Sequence, residues 1–221
     1  MSSKIILHTT RRTPGGRAIQ ITSKILGLDL ELKYVDLFKK EQLSEEFLNL
    51  NPFHTIPTIV DDGVPVYESH AILVYLVSKY AKDDALYPKD LISQARIQAW
   101  FHFDSGVLFP RLRGAMSTVY HLGMKEIPRD RLEAIEQAYE LFEEALRGDY
   151  LVGDSLTLAD ISVTTCLMSL NGALPLCESK YPKANAYLER MESVIPYYKE
   201  LVADPVEETK AFLKQKKEEI N

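Results

Sequence analysis

Cysteine is nearly absent from this sequence: 221 residues contain only Cys166 and Cys177, eleven positions apart. Because neither belongs to a C-x-x-C pair, the sequence predicts no zinc site and no dithiol redox centre. It also lacks an apolar run near the roughly 20 residues of a membrane-spanning helix, and it has no N-x-S/T sequon. No secretory signal is expected, since Lys4 leads directly into a strand-like stretch. We therefore expect a reducing, cytoplasmic environment and no membrane partner.

Positive charge is in the minority. The sequence has 26 lysines and arginines against 32 aspartates and glutamates, which gives a formal net charge of −6. This balance argues against nucleic acid or an anionic membrane as the main partner. Basic residues do cluster at Arg11, Arg12 and Arg17. With 46% hydrophobic and 26% charged residues, the composition is typical of a globular protein with one large domain or two small ones.

The first part of the chain mixes two periodicities. Up to Tyr80, short apolar or alternating runs of strand length are interleaved with helical patterns. Read in order, they predict a βαβ–α–ββα arrangement, which is that of a thioredoxin-like domain. The predicted strands are 4–8, 30–34, 57–60 and 64–67, and the predicted helices are 17–26, 40–50 and 69–80.

After Tyr80 the strand signals disappear. A polar, proline-containing linker is followed by helical periodicity to the end of the chain, which predicts a second, all-helical domain. Thr157 and Asp160 have the spacing of a capping box at the start of a central buried helix, and we assign them a structural role. The predicted division is an α/β domain at 1–80, a linker at 81–90 and a helical domain at 91–221.

The segment 51–72, NPFHTIPTIVDDGVPVYESHAI, is the most informative in the chain. It offers an extended peptide two recognition devices side by side. The backbone of Ile56, just before Pro57, can pair with an antiparallel peptide as in strand addition. The N-terminus of the next helix offers free N–H groups and the Ser69 hydroxyl to a carboxylate, and Glu68 offers the opposite charge to an amine. A small tripeptide with a free amine and a carboxylate at a γ-glutamyl end fits this description.

The motifs HTIP at 54–57 and ESHAI at 68–72 resemble the glutathione-binding core of cytosolic glutathione transferases of the insect delta and epsilon classes, and the epsilon class most. The stretches LNLNPFHTIP, KYAKDDALYPKD, HFDSGVLF and LVGDSLTLADISV extend the resemblance over nearly the whole chain. It implies an α/β thioredoxin-like N-terminal domain plus an all-α C-terminal domain, the glutathione transferase fold. It also implies a homodimer, for which the candidate contacts are Tyr87, His70 and the helix at 91–105.

The activity that this resemblance implies is conjugation of the glutathione thiolate to hydrophobic electrophiles. Such reactions serve xenobiotic detoxification, with dehydrochlorination as one option. Glutathione would be the co-substrate, no metal would be needed, and the second partner would be a hydrophobic small molecule. Thiol activation and proximity would then supply most of the catalysis.

Thiol activation requires a suitable hydrogen-bond donor. A free thiol has a pKa of about 8.5, and lowering it by two units takes about 2.7 kcal/mol, which a hydroxyl and a helix N-terminus can supply. The delta and epsilon classes place a serine there, in an SPP turn, and the corresponding residues here are Thr13-Pro14-Gly15. We predict that Thr13 is the catalytic donor, with Thr9 and Thr10 as alternatives.

The resemblance also implies binding residues. Gly15 and Gly16 replace larger residues beside the sulfur, which lets backbone N–H groups approach a ligand closely. Gln42 stands where the family has a second histidine, and Arg113 is expected to stabilise negative charge in the transition state. The residues implied for glutathione are Gln42, His54, Ile56, a cis Pro57, Glu68, Ser69 and His70. Those implied for the electrophile pocket are Arg12, Phe38, Phe109, Leu112, Arg113, Met116, Tyr120 and Phe212.

Two other functions stay open at this point. Thr13 adds a methyl group to the family's serine, and the paired glycines loosen the start of the helix, so the thiol could be poorly activated. The protein would then be a glutathione-binding carrier of apolar ligands with weak or no transferase activity. The third hypothesis is an isomerase or peroxidase that uses the same thiolate.

Overall fold

The first part of the molecule is a sheet with three helices; the structure, a computed structural model, describes residues 4–218. Its elements are β1 (Ile5–Thr9), α1 (Pro14–Leu26), β2 (Leu30–Tyr34), α2 (Glu45–Leu50), β3 (Thr58–Asp61), β4 (Val64–Tyr67) and α3 (Ser69–Tyr80). The strand order is β2-β1-β3-β4, with β1 parallel to β2 and antiparallel to β3, and with β3 and β4 paired as a hairpin. The predicted thioredoxin-like arrangement is therefore confirmed.

Helix α1 follows the central strand β1 and contributes buried residues to the core. It begins with Pro14, three residues earlier than predicted, because a proline needs no N–H partner in the first turn. It ends at Gly27, whose left-handed backbone conformation (φ 70°) stops the helix. Ile19 and Ile21 are fully buried. Thr13 precedes the first turn in an extended conformation, and its side chain does not cap the helix.

The helix predicted at 40–50 is wrong as a single element. Glu41–Leu43 form a short 3-10 turn, and α2 starts only at Glu45. Ser44 separates the two in an extended conformation (φ −65°, ψ 150°), and its hydroxyl accepts a hydrogen bond from the Phe47 N–H at 3.2 Å. A serine that caps a helix start is compatible with an apolar pattern that continues across it, so periodicity alone did not reveal the break.

The rest of the described chain is helical. The elements are α4 (Leu91–Phe103), α5 (Phe109–Tyr120), α6 (Arg129–Ala145), α7 (Leu158–Ala173), α8 (Pro182–Val194) and α9 (Asp204–Glu218), with π-helical segments at Asp104–Leu108 and Lys199–Ala203. Within residues 4–218, no helix combines the length and the apolar character that a membrane span requires.

Helix α7 is the central buried helix that the capping box predicted. The Asp160 carboxylate accepts hydrogen bonds from the N–H of Thr157 at 2.9 Å and from its hydroxyl at 3.0 Å, so the box is confirmed as a structural feature. Burial raises the pKa of Asp160, although these hydrogen bonds oppose the shift. Cys166 lies in the same helix, and burial raises the pKa of its thiol. Cys177 is exposed, and a hydrogen bond with Ser179 lowers its pKa.

A buried arginine joins α1 to the helical part. The Arg17 side chain is 2% exposed, and its guanidinium donates to the carbonyl oxygens of Thr165 (3.1 Å), Leu201 (3.3 Å) and Val202 (3.4 Å) and to the hydroxyl of Ser169. No carboxylate within residues 4–218 forms an ion pair with it. Burial lowers the pKa of Arg17 to about 10, so the group is still charged at neutral pH.

Replacement of Arg17 tests this junction. Arg17→Met keeps an apolar stem but removes every donor, so buried carbonyls lose their partners, and we expect the free energy of unfolding to fall by about 2–4 kcal/mol. Urea denaturation followed by circular dichroism measures the change. Arg129→Met is the matched control, because the Arg129 side chain is 92% exposed and, among the described residues, pairs only with Glu133; it should change stability by less than about 0.5 kcal/mol. Equal stability of the two variants would contradict the assignment.

Candidate active site

The N-termini of α1 and α3 lie directly against one another. A Cβ atom placed on Gly15 would be 2.6 Å from the Cβ of Ser69 and 3.5 Å from the Cδ of Pro57. Real side chains do not approach so closely, so this contact requires glycine. It places the Thr13 turn beside Pro57 and Ser69, and it brings the positive ends of two helices together, an arrangement suited to anions.

Gly16 makes a second close contact, with the end of β1. A Cβ atom there would overlap the Oγ1 atom of Thr9. Thr9 is fully buried beneath the first turn of α1, and its hydroxyl donates to the carbonyl oxygen of Thr10 at 3.2 Å. The structure therefore gives Thr9 a packing position, and it is the least accessible of the three candidate hydroxyls.

The other two hydroxyls form a pair. The Oγ1 atoms of Thr10 and Thr13 are 2.7 Å apart, and both residues are half-buried. The Thr13 N–H also donates to the Thr10 carbonyl at 3.4 Å, which closes the turn between them. When Thr13 donates its own proton to a ligand, Thr10 can donate to Thr13. The sequence offered Thr10 only as an alternative to Thr13, not as its partner.

The loop before β3 is organised by Asn51, a residue that the sequence analysis did not single out. Asn51 is fully buried, and its amide donates to the Thr55 carbonyl at 2.9 Å and to the Thr58 hydroxyl at 3.1 Å. This holds His54 on the exposed rim with a left-handed backbone (φ 46°). The Asn-Pro sequence of the turn was the available signal, because asparagine often bonds its own turn backbone.

The edge at which the sequence predicts peptide binding has an unusual backbone. The Ile56–Pro57 peptide bond is cis, as expected. Glu68 stands immediately before α3 with φ 71° and ψ 114°, an uncommon conformation for a residue with a side chain, and Ser69 is the first residue of α3. Such conformations cluster at ligand sites. Gln42 lies in the 3-10 turn, and its buried Oε1 atom has no partner within residues 4–218.

His70 contacts the helical part of the chain. Its Nε2 atom lies 3.1 Å from Oδ2 of Asp104 and 2.9 Å from Oγ of Ser162, and the Ser162 hydroxyl donates to the same carboxylate oxygen at 2.6 Å. The ring stacks on Phe101 with centroids 4.3 Å apart. The position predicted for glutathione binding is thus connected to α4 and α7, and this nitrogen already has two partners.

Four residues predicted for the electrophile pocket come together next to Thr13. The Arg12 guanidinium donates to the Tyr120 hydroxyl at 3.0 Å. The centroid of the Tyr120 ring is 4.8 Å from that of Phe212 and 5.9 Å from that of Phe38. This group, which we call the Arg12 cluster, joins the Thr10–Thr13 turn to α5 and α9.

The other four residues predicted for the electrophile pocket are all on α5. Leu112 and Met116 are buried in the core, and Phe109 and Arg113 are exposed on the helix surface. Met116 lies one turn before Tyr120, so this side of α5 continues inward from the Arg12 cluster.

Comparison with known proteins agrees with this geometry. The family models for the glutathione S-transferase N-terminal and C-terminal domains match residues 16–79 and 111–194. Glutathione S-transferase 1 of Manduca sexta is 38% identical over 195 residues, which are 87% of this chain and 90% of that protein. The chain belongs to the glutathione S-transferase family.

The similar solved structures include an epsilon-class glutathione S-transferase. This chain is 40% identical to that enzyme, which is from the housefly, Musca domestica, with a TM-score of 0.90 over 96% of this chain and 98% of that chain. It is 39% identical to a glutathione transferase homolog from Drosophila mojavensis with bound glutathione, with a TM-score of 0.89 over 96% and 97% of the two chains. The predicted fold and the epsilon-class resemblance are confirmed.

A rescue experiment tests the packing of Gly16. Gly16→Ala introduces a methyl group into the space of the Thr9 Oγ1 atom, and we expect the free energy of unfolding to fall by about 1–3 kcal/mol. Thr9→Ala in the same chain removes that oxygen and should restore part of the loss. The readout is urea denaturation of the single and double variants.

Gly106→Ala is the control for this experiment, since a Cβ atom at that helical glycine meets nothing within 4 Å. It should be neutral or slightly stabilising. Additive effects of Thr9→Ala and Gly16→Ala would mean that the two residues do not compete for the same space.

Proposed function

We propose that this chain is a glutathione S-transferase that holds glutathione as a thiolate beside Thr13 and adds it to hydrophobic electrophiles. The observation that carries this proposal is the Thr10–Thr13 hydroxyl pair at the N-terminus of α1, next to the N-terminus of α3. Membership of the transferase family and the similarity to a glutathione-bound structure support it.

Hydroxyl donors, a helix N-terminus and positive charge would together stabilise the thiolate. The Thr13 hydroxyl donates to the sulfur while Thr10 donates to Thr13, which fixes the direction of the Thr13 proton. The first turn of α1 contains no acidic residue, and Arg12 precedes it. Positive charge and a helix N-terminus both lower a thiol pKa.

The rest of glutathione is assigned to the edge between β3 and α3. The N–H groups and the Ser69 hydroxyl at the start of α3 would hold the γ-glutamyl carboxylate, and Glu68 would pair with the amine. The backbone of Ile56, next to Pro57, would pair with the peptide. His54 and Gln42 are assigned to the glycine end, and His70 would hold the start of α3 in place through Asp104 and Ser162.

The reaction needs no covalent intermediate with the protein. The sulfur attacks the electrophile, and the protein contributes the activated thiolate and the proximity of the two substrates. The Arg12 cluster and the inward face of α5 would form the electrophile pocket, apolar with a cation at its rim. Arg113, exposed on α5, would act only if a bulky electrophile extends to it.

The domain division, the oligomeric state and the cellular compartment belong to the same proposal. We assign residues 1–80 to the glutathione domain, 81–90 to a linker and 91–221 to the helical domain. A homodimer is supported by Leu91 and Ile92 at the start of α4, whose side chains are 81% and 66% exposed. Sedimentation velocity distinguishes the dimer from a monomer. A reducing compartment such as the cytoplasm suits a reaction that consumes a free thiol.

Thr13→Ala tests the thiol site. The variant loses one hydrogen bond to a charged sulfur, so the pKa of bound glutathione should rise by about 1–2 units and kcat/KM should fall roughly tenfold to a hundredfold. At about pH 5.5, where the bound thiol is largely protonated, the dissociation constant of glutathione should change by less than about threefold, because Thr13 contacts only the sulfur. The measurement is a pH titration of thiolate ultraviolet absorbance, with 1-chloro-2,4-dinitrobenzene conjugation as the rate assay.

Two pairs of variants refine the test. Thr13→Ser and Thr10→Ser keep each hydroxyl and should retain most activity, whereas Thr10→Val removes the partner of Thr13 and should raise the bound thiol pKa by less than Thr13→Ala does. A wild-type protein that binds glutathione with an unshifted thiol would identify a carrier instead. Unchanged turnover in Thr13→Ala would remove Thr13 from the mechanism.

A further inference from the structure

We infer that Arg12 selects electrophiles that carry an anionic group, such as a carboxylate, on a flat unsaturated body. The inference concerns the substrate class of the electrophile pocket and rests on the proposed function. It depends on three properties of the Arg12 cluster: the fixed position of the guanidinium, its uncompensated charge and its remaining donors.

The guanidinium of Arg12 is held in place by aromatic side chains. Its Cζ atom lies 5.7 Å from the centroid of the Tyr120 ring and 5.3 Å from that of Phe212, and the Tyr120 hydroxyl accepts a hydrogen bond at 3.0 Å. Cation–π contacts and this hydrogen bond orient the group without neutralising it. Since Arg12 directly precedes Thr13 in the chain, the positive charge of its guanidinium is fixed close to the proposed thiol site.

Arg12 differs in this respect from its neighbour. The Nε atom of Arg11 lies 2.7 Å from a carboxylate oxygen of Glu208, whereas no carboxylate in the described part of the chain forms an ion pair with Arg12. A formal net charge of −6 makes the protein as a whole unfavourable for anions. A cation without a carboxylate partner beside the proposed electrophile pocket would therefore change which ligands are accepted.

The remaining donors define the ligand chemistry. A guanidinium has five N–H groups in a planar fork, of which Tyr120 uses one. The others can bind a carboxylate in a bidentate manner, which a lysine could not do equally well. The rings of Phe38, Tyr120 and Phe212 provide flat apolar contact for the remainder of the molecule. Together these groups fit a conjugated or aromatic acid better than a neutral hydrocarbon.

A matched pair of electrophiles tests this inference. In 4-chloro-3,5-dinitrobenzoate and its methyl ester the reacting carbon is the same: the sulfur forms a bond to C4, chloride leaves with the bonding electrons, and the thiol proton goes to solvent. The measurement is kcat/KM for each substrate at saturating glutathione, divided by its uncatalysed rate with glutathione. We expect the normalised carboxylate-to-ester ratio to exceed one in the wild-type chain and to fall about tenfold in Arg12→Gln.

Three further variants make the result specific. Arg11→Gln removes the adjacent, ion-paired arginine and should change the ratio by less than about twofold. Arg12→Lys keeps the charge but not the fork and should give an intermediate ratio. Tyr120→Phe removes the hydroxyl that holds Arg12 and should lower the ratio, so the test does not depend on Arg12→Gln folding.

Each outcome is informative about one statement. Turnover of both substrates with the same normalised ratio in wild type, Arg12→Gln and Tyr120→Phe would overturn the inference about Arg12. A wild-type ratio below one would overturn it as well. Failure of the wild type to conjugate either substrate would count against the proposed transferase function. Binding of 3,5-dinitrobenzoate and its methyl ester, measured by calorimetry, should show the same loss of preference in Arg12→Gln.

Discussion

The geometry of the site depends on backbone contacts at the start of α1 that leave no room for side chains. Gly15 lies against Ser69, and Gly16 lies over Thr9. Because both glycines are helical and not in a left-handed conformation, the requirement is for space and not for backbone freedom. This packing fixes the distance between two helix N-termini, and it determines which threonine hydroxyl is buried and which are available.

The buried guanidinium of Arg17 fixes α1 against the helical part of the chain. Arg17 is buried against α7 and the π-helical segment Lys199–Ala203, where carbonyl oxygens take the place of a counter-ion. The backbone N–H of Arg17 donates to the carbonyl oxygen of Thr13 at 3.1 Å, so the junction with the helical part also holds the residue before the helix. Arg12, just before α1, and Arg17, within it, thus place positive charge near the start of this helix in a protein that is acidic overall, and both proposed substrates are anions.

Much of the fold was accessible from the sequence because local signals agreed with the tertiary structure. Alternation in Leu30–Tyr34 and helical periodicity in Ser69–Tyr80 predicted those elements with the observed limits. The break at Ser44 was not predicted, since capping is a hydrogen-bonding property and not a periodicity. The family motifs led to Thr13, Pro57 and Ser69. No pattern could show that Thr10 pairs with Thr13, since that depends on the turn geometry between them.

A chain that brings electrophiles to a thiolate exposes its own thiols to the same reagents. Cys166 is enclosed in α7, and its raised pKa keeps it protonated, so it is neither reachable nor nucleophilic. Cys177 is on the surface, and its pKa is lowered through Ser179. An electrophile that escapes conjugation would therefore alkylate Cys177 rather than Cys166. Burial of Cys166 would thus protect the interior of the protein from the electrophiles proposed as its substrates.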